Sequence, residues 1–219
     1  MKKVIGIIIA LFVCMGFANE KRNGTGFFVN SEYIVTAYHV VDDFDHICYY
    51  DVDSDTCYQA HMVEYDAYKD LALLKLDEEP VKMPMVCRIA HDELPIGEKL
   101  TAYGYPEPFI DHDLTIIPMN ISSQYRYDGD ANFYRLSGVL QSGMSGGPNF
   151  TRDGRVGAVN KSISLNEVNT SNVIKSTEVV RMLKRNGVVE YPNTKNVKKC
   201  VISILNTEEV FRSYHAQWE

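Results

Sequence analysis

The chain has 219 residues, 45% hydrophobic and 23% charged, with a formal charge of −7. That balance belongs to a folded globular protein long enough to bury a core, so disorder and fibrous repeats are excluded. The acidic surplus repels phosphate backbones and argues against nucleic acid as a partner. Met1, Lys2 and Lys3 precede an apolar run from Val4 to Phe17 that ends Gly16, Phe17, Ala18. This charged, apolar, small-residue order is that of an export signal, with cleavage expected after Ala18. A membrane span needs about 20 apolar residues, more than this run offers, so a retained anchor is the second choice and no stable span is expected after cleavage. Cys14 lacks the small preceding residue that lipid attachment favours, since Leu11, Phe12 and Val13 stand there. Removing Lys2 and Lys3 leaves 20 basic against 29 acidic side chains, a formal charge of −9.

An exported chain is secreted or periplasmic, where disulfides persist. Cys48, Cys57, Cys87 and Cys200 remain after cleavage, an even number that allows three connectivities. The turn-prone stretch Asp51 to Asp55 suits a bridge across a hairpin between Cys48 and Cys57, leaving Cys87 and Cys200 paired or free.

In chain order, β-rich runs are predicted at Thr25 to Val29, Tyr33 to Ala37, Cys57 to Tyr65, Leu71 to Leu76, Lys99 to Tyr103, Leu114 to Ile121 and Arg155 to Leu165. Two helices are predicted: a single turn after His39, and Thr177 to Asn186, with Ser176 as cap, Glu178 in the first turn and Gly187 as terminator. Many short strands and few helices indicate an all-β sandwich or barrel. Tyr191, Pro192, Asn193 reads as a break before a tail from Thr194 to Glu219, in which the charged run Lys195 to Lys199 is expected to be solvated.

Three sequence elements carry chemistry. Ser142 to Pro148 reads SGMSGGP, in which glycines permit the tight turn that exposes a serine oxygen and aims amide hydrogens beside it. The pattern Gly, any, Ser, Gly, Gly arises by chance in roughly one chain in 200 of this size, from average composition. Tyr33 to Val41 is a β-branched strand running into His39 and a helical turn, which places an imidazole at a strand end. Asp70 stands at the mouth of the apolar run Leu71 to Leu76, where burial lets a carboxylate grip an imidazole nitrogen, with Asp66 as its rival. The remaining histidines, His46, His61, His91, His112 and His215, read as surface or internally satisfied residues.

Taken in the order His39, Asp70, Ser145, these residues form a base, its orienting acid and a nucleophile. On GTGFFVNSEYIVTAYHVV, DLALLKL, SGMSGGP and DGRVGAVN, the sequence resembles the trypsin-like serine peptidases, most of all their HtrA/Deg branch, over about residues 24–189. The resemblance implies two six-stranded antiparallel β-barrels with a C-terminal helix and the triad in the cleft between them. It divides the chain into a signal peptide at 1–18, a protease domain at 19–189 and a short tail at 190–219, too short for a PDZ domain. It implies a serine endopeptidase acting on protein or peptide substrates through an acyl-enzyme, without a cofactor. The Gly143 and Ser145 amides would receive the oxyanion. The floor of the specificity pocket would fall near Val139 and Leu140, and the substrate-facing strand at Asn160, Lys161 and Ser162. No Asp stands at the floor and no His on that strand, so a small or medium apolar residue before the cut is expected. Met144 replaces the carboxylate that pairs with a freed N-terminus in digestive relatives, so activation by clipping is disfavoured.

Two other readings are weaker. The same glycines fit the nucleophile elbow of an α/β-hydrolase esterase with His215 as base, but Gly146, Gly147, Pro148 opposes the helix that fold needs. A catalytically silent peptide-binding module of the same fold is the other, though all three triad residues are present. Asp51, Asp53, Asp55 begins like a calcium loop but has Thr56 and Met62 where Gly and Glu are required, and Asp111, His112, Asp113 reads as an exposed loop; no metal site is expected.

Overall fold

In a computed structural model, residues 23–42, 47–51, 56–80, 82–106, 113–163, 169–192 and 200–205 are described. The expected export signal, the Asp51 to Asp55 turn beyond Asp51, His46, His112, His215 and the run Lys195 to Lys199 lie outside them. No helix among the described residues is long and apolar enough to cross a membrane.

The first barrel is built from β1 (Asn23–Phe28), β2 (Tyr33–Thr36), β3 (Ile47–Asp51), β4 (Thr56–Asp66), β5 (Leu71–Leu76) and β13 (Val201–Leu205). It closes in the order β1, β13, β3, β4, β5, β2. The second uses β7 (Lys99–Gly104), β8 (Thr115–Ser123), β9 (Phe133–Ser137), β10 (Pro148–Thr151), β11 (Arg155–Ile163) and β12 (Thr170–Lys175), closed by pairing of β10 with β11. A two-residue strand, β6 (Arg88–Ile89), adds parallel to β11. The expected pair of six-stranded antiparallel barrels is thus present.

Closure removes sheet edges, and the alternation of side chains along each strand feeds two cores at once. In β5, Ala72, Leu74 and Leu76 fill the first barrel, while Leu71 and Leu73 turn outward into a cluster shared with Phe133, Phe150, Val159 and Ile174 of the second. This double burial is why the run LALLKL is nearly continuously apolar. The second barrel is filled by Leu100, Met119, Ile121, Tyr134, Leu136 and Val173, among others. Helix α2 (Ser176–Arg185) follows β12 and adds Val179, Val180, Met182 and Leu183 to the shared cluster.

Two expectations are corrected, and the cysteine pairing that the sequence left open is completed. Residues 201–205 belong to the first barrel and not to a tail outside it: β13 fills the place between β1 and β3, with Ile204 opposite Gly24 on one side and Tyr49 on the other. VISIL has few residues to advertise itself, but Ile202 and Ile204 are buried in the first barrel. Helix α2 begins at Ser176, with Lys175 at the cap position; the Ser176 hydroxyl is buried without a partner, because the strand runs straight into the helix and holds that residue inward. Finally, both disulfides form: Cys48–Cys57 across the β3–β4 hairpin, and Cys87–Cys200, which ties the segment before β6 to the start of β13.

Candidate active site

The pairing register of β2 with β5 assembles the first half of the site. Thr36 stands opposite Ala72, so the same register sets Ala37 against Leu71 and Tyr38 against Asp70. The ladder continues by one bond past both ends, from the Tyr38 amide to the Asp70 carbonyl at 3.2 Å. Helical turn α1 (Tyr38–Val41) buries Val40 and Val41 and leaves His39 facing the cleft. The Asp70 carboxylate then holds His39 twice. Its Oδ1 accepts from the His39 backbone amide at 2.9 Å, and its two oxygens lie 2.9 and 2.8 Å from Nδ1. Asp70 is 6% exposed and sits at φ 65°, a left-handed conformation that Asp adopts more readily than most residues and that is characteristic of sites under positional demand. Asp66 does not compete for this role, because its carboxylate binds the amide and ammonium of Lys69.

The second half is the turn Ser142 to Gly147, which β1 and β11 hold from two sides. Thr25 of β1 donates its amide to the Ser145 carbonyl at 2.8 Å and its hydroxyl to the Gly143 carbonyl at 2.9 Å, while that hydroxyl accepts from the Tyr105 amide at 2.9 Å. The Gly146 amide donates to the Asn160 carbonyl at 2.9 Å, and the Asn160 amide to the Gly147 carbonyl at 2.7 Å. Gly143 and Gly146 both take φ 83°. A Cβ on Gly146 would lie 2.6 Å from the Ala37 nitrogen, so this glycine is what lets the nucleophile turn lie against the strand end that carries His39. Met144 is fully buried in the second barrel's core and anchors the turn from below. Among the described residues no carbonyl takes the amides of Gly143 and Ser145.

The turn that carries Asp70 is braced from both barrels. Lys69 bridges Asp66 at 2.6 Å and the buried Glu178 of α2 at 3.4 Å. Burial works against the Asp66 charge, but the Lys69 ammonium and amide hold that carboxyl below its ordinary value; the bond to Asp66 raises Lys69 in turn. From the second barrel, Asp130 accepts from the Tyr68 hydroxyl at 2.7 Å, which raises that phenol, and Arg126 pairs with both Asp128 and Asp130.

The residues expected to bind substrate separate. Val139 is 42% exposed, whereas Leu140 is 2% exposed and belongs to the second barrel's core. Asn160 is fully buried: its Nδ2 donates to the Tyr103 and Met144 carbonyls at 3.1 Å each, and its Oδ1 accepts from Asn149 at 2.6 Å. Its side chain thus braces the turn Ser142 to Gly147 from within. Lys161 is half-buried beside Phe133, and the Ser162 side chain lies outside the described residues. Sequence reasoning missed Thr25 and Asn149. The one signal for Thr25 was its place between two glycines in GTGFF, where a small polar side chain is flanked by close backbone approaches.

A profile of the trypsin-like peptidase domain matches residues 24–159. Among curated proteins, the chain is 30% identical over 151 residues to a probable periplasmic serine endoprotease, DegP-like, of Halomonas elongata, covering 68% of this chain and 31% of that one. A protein of the same description from Pseudomonas putida is 34% identical over 144 residues, covering 64% and 29%. The chain thus spans about a third of the length of these relatives. Among solved structures, the inactive form of Rv3671c protease of Mycobacterium tuberculosis superposes with a TM-score of 0.61 at 25% identity, over 77% of this chain and 87% of that one.

Proposed function

The chain belongs to the trypsin-like peptidase domain family, and on that premise we propose that it is a serine endopeptidase cutting protein or peptide substrates through an acyl-enzyme. Ser145 is the nucleophile, His39 the general base and Asp70 the group that orients it. The observation that carries this reading is the double grip of Asp70 on His39, by ring nitrogen and backbone amide, at the strand end against which Gly146 packs.

The roles follow from the hydrogen bonds. With Nδ1–H held by Asp70, Nε2 is the nitrogen left to accept a proton. As the Ser145 oxygen attacks the peptide carbonyl, its proton passes to Nε2, and the Asp70 carboxylate stabilises the imidazolium that results. The carbonyl oxygen, now negative, is met by the Gly143 and Ser145 amides, each such donor being worth about 3 kcal/mol. Collapse of the tetrahedral intermediate returns the proton from Nε2 to the departing amine and leaves the acyl group on Ser145. Water then takes the place of the amine and the same steps run in reverse order of release. No step calls for a metal or cofactor.

Export to the periplasm or outside the cell is part of the same reading. It is supported by the export-type N-terminal sequence, by two disulfides and by the likeness to probable periplasmic DegP-like endoproteases. The test is a serine-reactive phosphonate probe alongside a peptide-library digest, with native chain beside Ser145→Ala. Labelling and cleavage by the native chain alone are expected. Cleavage at the native rate by Ser145→Ala removes the nucleophile assignment, and failure of the native chain to label or cleave leaves a silent peptide-binding module.

A further inference from the structure

Lys161 is the one charged residue among the three expected on the substrate strand, and among the described residues it forms no ion pair, although Asp70, Asp128 and Asp130 stand near enough to favour its charge. Asn160 and Lys161 alternate along β11, and the Asn160 side chain goes beneath the nucleophile turn, so Lys161 goes the other way, with its ammonium 4.9 Å from the Phe133 ring centroid. The ladder between β11 and β12 shifts register between Asn160 and Ile163, a bulge of the kind that re-aims a side chain. The Gly146 amide, adjacent to Ser145, bonds the Asn160 carbonyl, so Lys161 starts one residue from a direct contact with the nucleophile turn.

The other charges here have partners. Arg126, whose guanidinium lies 4.5 Å from the same ring, pairs with Asp128 and Asp130. Asp130 also accepts from Tyr68 and Asn132, and Asp70 holds His39. Lys161 has no carboxylate within ion-pair distance among the described residues, yet it is half-buried, and burial pulls its affinity for a proton below the ordinary lysine value despite the pull of Asp70. A partly dehydrated ammonium facing a cleft gains most from an anion that arrives with the ligand.

We propose that Lys161 is a specificity determinant that binds the carboxylate of an acidic substrate side chain located upstream of the cleaved bond, so that the preferred substrates are extended acidic segments. The inference rests on the peptidase reading and deepens it. A substrate strand adding its main chain beside β11 rises about 3.3 Å per residue, which brings the second to fourth side chain before the cut within a lysine's reach.

The test uses paired peptides that differ only by Glu or Gln at each of those positions, with the ratio of kcat/KM as the readout. The native chain is expected to favour Glu by about tenfold or more at one position, as for one hydrogen bond to a charged group. Lys161→Gln should bring that ratio near one, and Lys161→Glu should invert it towards a Lys-containing peptide. Equal cleavage of the Glu and Gln peptides by the native chain, or a Glu preference that survives Lys161→Gln, overturns the proposal. Phosphonate labelling of Ser145 separates the two levels: labelling without a Glu preference removes only the role of Lys161, whereas absence of both labelling and cleavage removes the peptidase reading and this inference with it.

Discussion

The Thr25 amide donates to the Ser145 carbonyl at 2.8 Å, which couples strand β1 of the first barrel to the proposed nucleophile. Thr25 lies in β1 between β2 and β13, opposite Ser203. The backbone that fixes the proposed nucleophile is therefore bounded on one side by a strand that arrives from the end of the chain. Residues 145 and 203 are far apart in sequence but separated in space by one strand.

The first prediction concerns that strand. Ile204 is fully buried in the first barrel, so Ile204→Ala should cost about 2–5 kcal/mol, like any large-to-small change in a packed core. Urea unfolding measures it. A loss below about 0.5 kcal/mol, the usual size for a surface position, would mean that residues 201–205 are a loose tail in solution.

The two disulfides should contribute unequally. Cys87–Cys200 closes a separation of 113 residues and Cys48–Cys57 one of 9. In the chain-entropy account the first is worth about 5 kcal/mol and the second about 2.5 kcal/mol. Pairwise Cys→Ala replacement followed by denaturation should give the larger loss for Cys87 with Cys200. The opposite order would place the effect in native-state strain or in residual structure of the unfolded chain.

Much of this arrangement was legible before the fold was seen. His39, Asp70 and the Ser145 turn announce themselves because each abuts a run whose burial is dictated locally: YIVTA, LALLKL and the glycines of SGMSGGP. The strand β13 was not legible, because VISIL is flanked by charge and its partners, β1 and β3, stand about 150 or more residues earlier; nothing local distinguishes it from a tail. The burial of Asn160 was not legible for a different reason: the resemblance placed it only on a strand, and the carbonyls of Tyr103 and Met144, brought in from other elements, are what make burial of its side chain acceptable. The helix start at Ser176 was mistaken by one residue, because a serine before TEVV satisfies the usual capping pattern while here its hydroxyl caps nothing.

The brace on the Asp70 turn yields a pH prediction. Asp66 has a depressed value, so its contribution is complete above the ordinary carboxylate range and is lost as pH falls through the depressed value. Lys69 has a raised value, so its contribution is complete below the ordinary lysine range and is lost as pH rises through the raised value. The stability difference between the native chain and Lys69→Met should therefore be flat from about pH 5 to pH 10, from ordinary values near 4 and 10.4, and shrink outside that window. Its plateau should be about 1–3 kcal/mol, since Lys69 is partly exposed but its loss leaves the buried Glu178 with Arg181 alone among the described residues. A difference that instead grows below pH 4 would show that Asp66 is not held by Lys69.

The last prediction separates support from substrate contact at Asn160. Its amide group satisfies two carbonyls, one of them from Met144 inside the nucleophile turn, and its Oδ1 receives Asn149. Asn160→Ala takes this donor from the Tyr103 carbonyl and this acceptor from Asn149, at about 1–3 kcal/mol for each group that finds no water, and leaves the Met144 carbonyl with the Gly147 amide alone, so the net loss of stability should be about 2–4 kcal/mol. Because the Met144 carbonyl is part of the turn that presents the Gly143 and Ser145 amides, its release should misplace donors needed only as the oxyanion forms. The variant should therefore lose kcat by about 10- to 100-fold, short of the full effect of deleting an oxyanion donor, with KM changed little. Asn160→Asp should be at least as damaging, since a carboxylate would then face two carbonyl oxygens. Steady-state kinetics on one peptide settles the matter. A raised KM with kcat intact would return Asn160 to the substrate-binding role that its position in the strand first suggests, and would require its side chain to leave the buried site between Tyr103 and Met144.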